Sequence, residues 1–131
     1  MGRFFDTNII IYALQNGPKS HVAVALLNEG GAVSAQVLNE TVHTMRRKFA
    51  TPWDDLRRQL AALRGLMDDI VPLTDRIHDV AFALAERDRL PFYDALILAA
   101  ALEAGCDTLL SEDFQAGRRF GGLTVVNPFA V

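Results

Sequence analysis

The stretch RFFDTNIIIYAL, residues 3–14, contains the unit from which the whole chain is built. Its first part, Arg3 to Asp6, predicts a short strand that ends on a carboxylate, and Thr7 to Leu14 predicts the helix that follows. Short strands alternate with helices along the rest of the chain. This alternation predicts an α/β fold, a single domain over residues 1–131 with a short parallel central sheet flanked by helices on both faces.

Four further strands and five further helices complete the predicted alternation. The predicted strands are Ala32–Ser34, Asp69–Leu73, Thr108–Leu110 and Leu123–Val126. The predicted helices are Ser20–Asn28 with Ser20 as its cap, Ala35–Phe49, a helix opened by Thr51 and Pro52 in which Leu56, Leu60, Leu63 and Met67 recur at helical spacing, a helix capped by Thr74 that runs to about Arg89, and Phe92–Ala104. The last helix is apolar almost all round, so we expect it in the interior against the sheet.

Four carboxylates stand near the ends of these elements or on their faces, namely Asp6, Glu40, Asp94 and Asp113. The carboxyl ends of strands in an open parallel sheet form the crevice in which ligands bind, so we expect these acids to meet there. Each pair of carboxylates about 4 Å apart costs roughly 4 kcal/mol at an effective dielectric constant near 20. Protonation of some members would relieve this repulsion, but Mg²⁺ or Mn²⁺ would keep all four ionised and ordered. We therefore predict that the four acids bind a hard divalent cation, and a site of this kind suits two-metal cleavage of a phosphodiester.

Three of these acids admit other roles. Asp94 lies in the first turn of the apolar helix, where interaction with the helix dipole alone stabilises a carboxylate. Glu40 is also placed for surface pairing with Thr44 or Arg47. Asp6 is placed to act as the phosphoryl-accepting nucleophile of a phosphatase, although such enzymes usually carry a second Asp where this chain has Asn8.

The net charge of −3 argues against a broad, sequence-independent binder of nucleic acids. Local basic runs nevertheless supply groups for phosphate contacts, and Arg47 and Arg118 are the candidates within them. The single cysteine, Cys106, is expected to be a buried thiol. With no recognisable signal peptide and no apolar run of transmembrane length, the expected location is cytoplasmic, away from any membrane.

Four segments in this order resemble the PIN domain, and in size the chain is similar to the VapC-like ribonuclease toxins of toxin–antitoxin pairs. They are FDTNIIIY at 5–12, SAQVLNE at 34–40, FYDALI at 92–97 and LSEDF at 110–114. The resemblance implies an Mg²⁺- or Mn²⁺-dependent endoribonuclease. It implies an acidic quartet formed by Asp6, Glu40, Asp94 and Asp113. Glu112 is the alternative to Asp113 as the fourth acid, and the polar residues that support the quartet are Thr7, Asn8 and Ser111.

The same resemblance implies partners. RNA would be the substrate, with Arg47 and Arg118 on its phosphates, and a cognate antitoxin and a second copy of the chain would bind the protein. The helices from Glu40 to Met67 are the candidate clamp for the antitoxin, with Phe49, Trp53 and Leu56 as anchors, and a core role is the other interpretation of Trp53. A PIN-like RNA-processing nuclease without an antitoxin, or a catalytically silent module that binds RNA or protein, are the alternatives.

Overall fold

Strands and helices alternate along the chain in a computed structural model that describes residues 2–130, so the outermost residues of the predicted domain, 1 and 131, lie outside the described part. In chain order the elements are β1 Arg3–Phe5, α1 Thr7–Leu14, α2 Ser20–Asn28, β2 Ala32–Ser34, α3 Ala35–Phe49, α4 Trp53–Leu66, β3 Asp69–Val71, α5 Asp75–Asp88, α6 Phe92–Glu103, β4 Thr108–Leu110, β5 Arg119–Phe120 and β6 Leu123–Val126. The predicted α/β class with a short central sheet flanked by helices is confirmed, and the sheet is mostly, not wholly, parallel.

The strands form one sheet in the order β3-β2-β1-β4-β6-β5. All neighbours are parallel except β5, which runs antiparallel to β6. From β1 the chain builds outward through β2 and β3, and it then crosses back to place β4 on the other side of β1, with Phe5 opposite Leu110. The order of strands therefore reverses between β1 and β4, and open α/β sheets bind their ligands at such a reversal.

Helix α6 forms the centre of the core, as its apolar sequence predicts. Its residues 95–101 are all buried, and the helix packs against α5 and β2. Alanines at four of these seven positions allow the helix to approach its neighbours closely. The first turn of α6 is thereby held rigidly, and Asp94 lies in that turn.

Some predicted boundaries are wrong by a residue or two. Lys19, and not Ser20, is the N-cap of α2, because the turn closed by the Ser20 N–H on the Gly17 carbonyl, at 3.1 Å, starts the helix earlier. Likewise α4 begins after Pro52 without a side-chain cap. Thr74 does cap α5, accepting the Ile77 N–H at 3.2 Å. Strand β3 ends at Val71 because the next residue, a proline, has no N–H for the ladder.

Strand β5 is absent from the prediction. It has two residues and is joined to β6 through Gly121, whose φ of 59° lies in the left-handed region. Two residues are too few to produce a recognisable alternation of apolar and polar side chains. Along residues 2–130, no helix is long and apolar enough to cross a membrane.

Candidate active site

Asp6 lies at the reversal between β1 and β4, and its carboxylate is almost completely buried. The Asp6 N–H donates to the Leu110 carbonyl at 3.0 Å, which extends the pairing of β1 with β4 by one residue. Asp6 then acts as the N-cap of α1, with Oδ1 accepting the Thr7 N–H at 2.7 Å. Its Oδ2 accepts the Ser111 hydroxyl at 2.6 Å. Ser111 follows β4, so this bond joins the ends of the two central strands.

These contacts do not fully compensate for the burial of Asp6, which is 5% exposed. Burial raises its pKa from 3.8 to about 7, although the hydrogen bonds from Ser111 and Thr7 act in the opposite direction. The negative charges of Asp113 and Asp94 raise the pKa further. A buried carboxylate with neighbours of like charge is the electrostatic signature of a site that takes up a proton or a cation.

Glu40 is positioned by hydrogen bonds to both of its carboxylate oxygens. Oε1 accepts the Thr7 hydroxyl at 2.7 Å, and Oε2 accepts the Gln36 amide at 2.9 Å. The alternative of a surface pair with Thr44 or Arg47 is not what the structure describes. Gln36 was not predicted as a site residue, although its position one helical turn before Glu40 on α3 is a signal that was available.

Asp94 and Asp113 complete the acidic group. Partial burial raises the pKa of Asp94, and the charges of Asp113 and Glu40 raise it further. The pKa of Asp113 is raised by partial burial and by the charges of Glu112 and Glu40, while a hydrogen bond from Asn8 opposes the rise. Each acid of the predicted quartet therefore lies within electrostatic range of at least one other.

Glu112 faces a different set of partners from its neighbour Asp113. Its carboxylate forms a salt bridge with Lys19 and accepts a hydrogen bond from the Tyr12 hydroxyl. The Lys19 ammonium also lies over the rings of Tyr12 and Phe129, at 4.7 and 5.2 Å from their centroids. Because the Glu112 carboxylate is already engaged, this geometry favours Asp113 as the fourth acid.

A cavity of about 690 Å³ opens beside the acids. Among the predicted site residues, Thr7, Asn8, Glu40 and Asp113 line it. The rest of the lining was not predicted as part of the site and includes Gln36, Asn39, His43, Lys48 and Tyr93. Arg47 lines an adjoining groove instead. Arg118 is not among the lining residues, and its guanidinium lies 4.6 Å from the centroid of the Phe120 ring.

The donors at this site suit a hard divalent cation. Carboxylate and amide oxygens are the ligands that Mg²⁺ prefers, and the buried Oδ1 of Asn8 has no hydrogen-bond partner. Within residues 2–130, no three His, Cys, Asp or Glu side chains are already arranged as ligands around one point. The buried carboxylate of Asp6, the negative charges of the neighbouring acids and the orphaned amide oxygen nevertheless fit a cation held by Asp6, Glu40, Asp94 and Asp113.

A family model described as PIN domain matches residues 3–119, from β1 to the start of β5. The chain belongs to the PIN domain family. This assignment fits the strand order and the position of the acids at the reversal of the sheet. A search of curated proteins gives no match.

Solved structures share this PIN fold over most of their length. A toxin-antitoxin complex from Klebsiella pneumoniae has a TM-score of 0.75 at 23% identity, covering 98% of this chain and 99% of the other. VapC20 of Mycobacterium tuberculosis, a toxin that cleaves the sarcin-ricin loop, has a TM-score of 0.68 at 19% identity, covering 85% and 91%. VapBC2 of Rickettsia felis, bound to a promoter DNA fragment, has a TM-score of 0.70 at 19% identity, covering 95% and 97%.

Proposed function

We propose that this PIN domain is a metal-dependent endoribonuclease that acts as the toxin of a toxin–antitoxin pair and hydrolyses RNA phosphodiester bonds. The observation that carries the proposal is the burial of Asp6 among the charges of other acids at the reversal of the sheet. Membership of the PIN family supports it. So does the likeness in fold to a toxin-antitoxin complex and to a toxin that cleaves the sarcin-ricin loop.

Asp6, Glu40, Asp94 and Asp113 would hold Mg²⁺ or Mn²⁺. When bound, such a cation supplies Lewis-acid chemistry: it activates water and stabilises the leaving oxygen of a phosphodiester. The chain's own part is orientation. Hydrogen bonds fix Asp6 through Thr7 and Ser111 and fix Glu40 through Thr7 and Gln36, so the carboxylates are ordered before a cation arrives.

Thr7 has a special place in this arrangement. Its backbone N–H holds Asp6 and its hydroxyl holds Glu40, so one residue sets the separation of two acids. In the lining of the cavity, Lys48 supplies a positive charge on the far side of Glu40 along α3. We assign Lys48 and Arg47 to the RNA phosphates. Arg118 is a further proposed phosphate contact, held against the Phe120 ring.

The proposed partners are a cognate antitoxin and a second copy of the chain. Among the anchors of the predicted clamp, Phe49 and Trp53 are 47% and 58% exposed and are accessible to a partner. Leu56 is 2% exposed, so its prediction as an anchor is wrong: it lies on the side of α4 that faces the interior. The alternative core role for Trp53 is wrong because this side chain is largely exposed.

The test is cleavage of labelled total RNA by the purified full chain with Mn²⁺, with Mg²⁺ and with EDTA. Asp94→Asn is expected to remove the activity, because it takes one charge from the acidic group and keeps the size of the side chain. Asp69→Asn is the matched control, an exposed carboxylate at the start of β3. Cleavage that survives EDTA or Asp94→Asn would refute the metal-dependent mechanism.

Failure to cut under any condition, by chain shown to be folded and free of other proteins, would instead favour a silent binding module. Co-purification addresses the antitoxin. A small protein that is retained on the chain and suppresses its cleavage is the expected result, and active, partner-free chain from the native cell would indicate a PIN-domain RNA-processing nuclease.

A further inference from the structure

A second groove adjoins the active-site cavity where α3 ends and α4 begins. It encloses about 540 Å³ and is lined by Asn39, Val42, His43, Arg46, Arg47 and Trp53. Asn39 and His43 also line the active-site cavity, so the two spaces are continuous along α3. From Glu40 to Arg47 the helix rises about 10 Å, so the groove lies close to the proposed site of chemistry.

The groove is cationic although the chain as a whole is acidic. No carboxylate lines it, and within residues 2–130 none of Arg46, Arg47 and Lys48 forms a salt bridge. By contrast, Arg57 and Arg58 on α4 are paired with acids one turn away. The dipole of α3 favours cations at the C-terminal end of the helix, where these three residues lie. The dipole does not explain why these cations lack acidic partners beside a groove that contains an exposed aromatic ring.

Trp53 supplies that ring, and it is 58% exposed. The Arg46 guanidinium lies 4.4 Å from the ring centroid, and its Nη1 donates to the Thr51 carbonyl at 2.8 Å. The cation is therefore held in place over the indole by its own hydrogen bond. An aromatic surface of this kind, set in a cationic groove, is the arrangement by which proteins bind single-stranded nucleic acids.

We infer that this groove binds an unpaired nucleotide of the RNA substrate, adjacent to the nucleotide that is cut. The base stacks on Trp53, and its phosphate contacts Arg47. The inference rests on the proposed function, because it extends the path of the RNA from the acidic cavity along α3. It predicts a preference for single-stranded or looped RNA, since bases in a duplex are not free to stack on a protein side chain.

Trp53 is the only tryptophan in the chain, so its fluorescence reports directly on the groove. The experiment uses the full chain carrying Asp94→Asn and short unstructured RNA oligonucleotides. RNA is expected to quench the tryptophan fluorescence with the same Kd as that obtained from anisotropy of the labelled RNA. Trp53→Ala in this background is expected to weaken binding roughly 5- to 150-fold, and Trp53→Phe should restore part of the loss because it keeps a ring.

Arg47→Ala should lower the dependence of log Kd on log salt by about 0.7, the change for one phosphate contact to a single strand. The controls are Phe82→Ala, which removes an aromatic ring that is 59% exposed on α5, and Arg64→Ala, which removes an exposed cation from the last turn of α4. Neither control should change the Kd. Unfolding curves of each variant separate a loss of binding from a loss of fold.

An unchanged Kd in folded Trp53→Ala would overturn the inference and leave the groove to a protein partner. Binding without quenching, or no RNA binding by the folded Asp94→Asn chain, would overturn it too. These results are distinct from failure of the proposed function, which is read from cleavage by the unsubstituted chain. If that chain binds RNA through Trp53 but cuts nothing, the groove assignment holds and the nuclease assignment fails.

Discussion

Replacing Ser111 by alanine should destabilise the chain more at high pH than at low pH. The Ser111 side chain is completely buried, and its hydroxyl donates to Asp6 Oδ2 at 2.6 Å. The Ser111 hydroxyl oxygen also accepts the Asp113 N–H at 3.0 Å. The substitution removes both bonds and leaves a buried carboxylate with a single hydrogen bond, that from Thr7.

The magnitude depends on the charge of Asp6. A hydrogen bond to an ionised group contributes about 1.5–3 kcal/mol, against about 1 kcal/mol for a bond between neutral groups. Burial raises the pKa of Asp6 to about 7, so its carboxylate is mostly ionised at pH 8 and mostly protonated at pH 5. Because the bond to the Asp113 N–H is lost at both pH values, we expect Ser111→Ala to lower the free energy of unfolding by about 2.5–4 kcal/mol at pH 8 and by about 2 kcal/mol at pH 5.

Urea unfolding of the metal-free chain in EDTA at the two pH values measures this difference. Ser20→Ala is the matched control, because the structure describes no side-chain hydrogen bond for this partly buried serine at the start of α2. Its free energy of unfolding should change by less than about 0.5 kcal/mol. Equal effects of Ser111→Ala and Ser20→Ala at pH 8 would refute the assignment of an ionised Asp6 held by Ser111.

Other predictions concern pH, backbone space and capping. In EDTA, the stability of the chain relative to Asp6→Asn should fall by about 4 kcal/mol as the pH rises from 3.8 to above 7. The reason is that the folded state keeps the Asp6 proton, which the unfolded state releases in this range. Urea unfolding of both chains across the range measures the difference in their free energies of unfolding. A difference that does not change with pH would contradict the raised pKa. Gly31→Ala should lower stability by about 2–3 kcal/mol, since φ is +146° and an added Cβ would lie 2.5 Å from the Phe5 ring. Gly17→Ala is the control, because open space surrounds this position, and it should leave the free energy of unfolding in urea nearly unchanged. Thr74→Ala should lower the thermal midpoint through loss of about 1 kcal/mol of helix capping, and an unchanged midpoint would show that the cap is dispensable.

Local patterns in the sequence were sufficient to predict most of the elements. The apolar run of α6 predicted a buried helix with an acid in its first turn, because a helix with no polar face has to be surrounded by protein. The sequence around Asp6 predicted a strand followed at once by a helix. The thiol of Cys106 is buried, as its apolar neighbourhood predicted. The prediction of Ser20 as a helix cap failed because a single turn before it starts α2. Strand β5 was missed because it has only two residues.

The sequence did not predict which acid each polar support contacts. Ser111 contacts Asp6 across 105 positions, and Tyr12 contacts Glu112 across 100. The resemblance favoured Asp113 over Glu112 as the fourth acid, but only the structure shows that Asp113 lines the cavity while Glu112 pairs with Lys19. The groove at Trp53 likewise depends on how α4 packs against α3, and the exposure of Trp53 was one of two open alternatives.

The sequence by itself determined most of the segments that form strands and helices, and it placed an acid near the end of β1, on α3, at the start of α6 and after β4. Periodicity, capping and helix burial are local consequences of side-chain order, so they can be read along the chain. Only the tertiary structure decided that β4 pairs with β1, that Thr7 holds two of the acids and that burial raises the pKa of Asp6 to about 7. Desolvation and charge–charge repulsion depend on distances between residues far apart in sequence, and folding alone sets those distances.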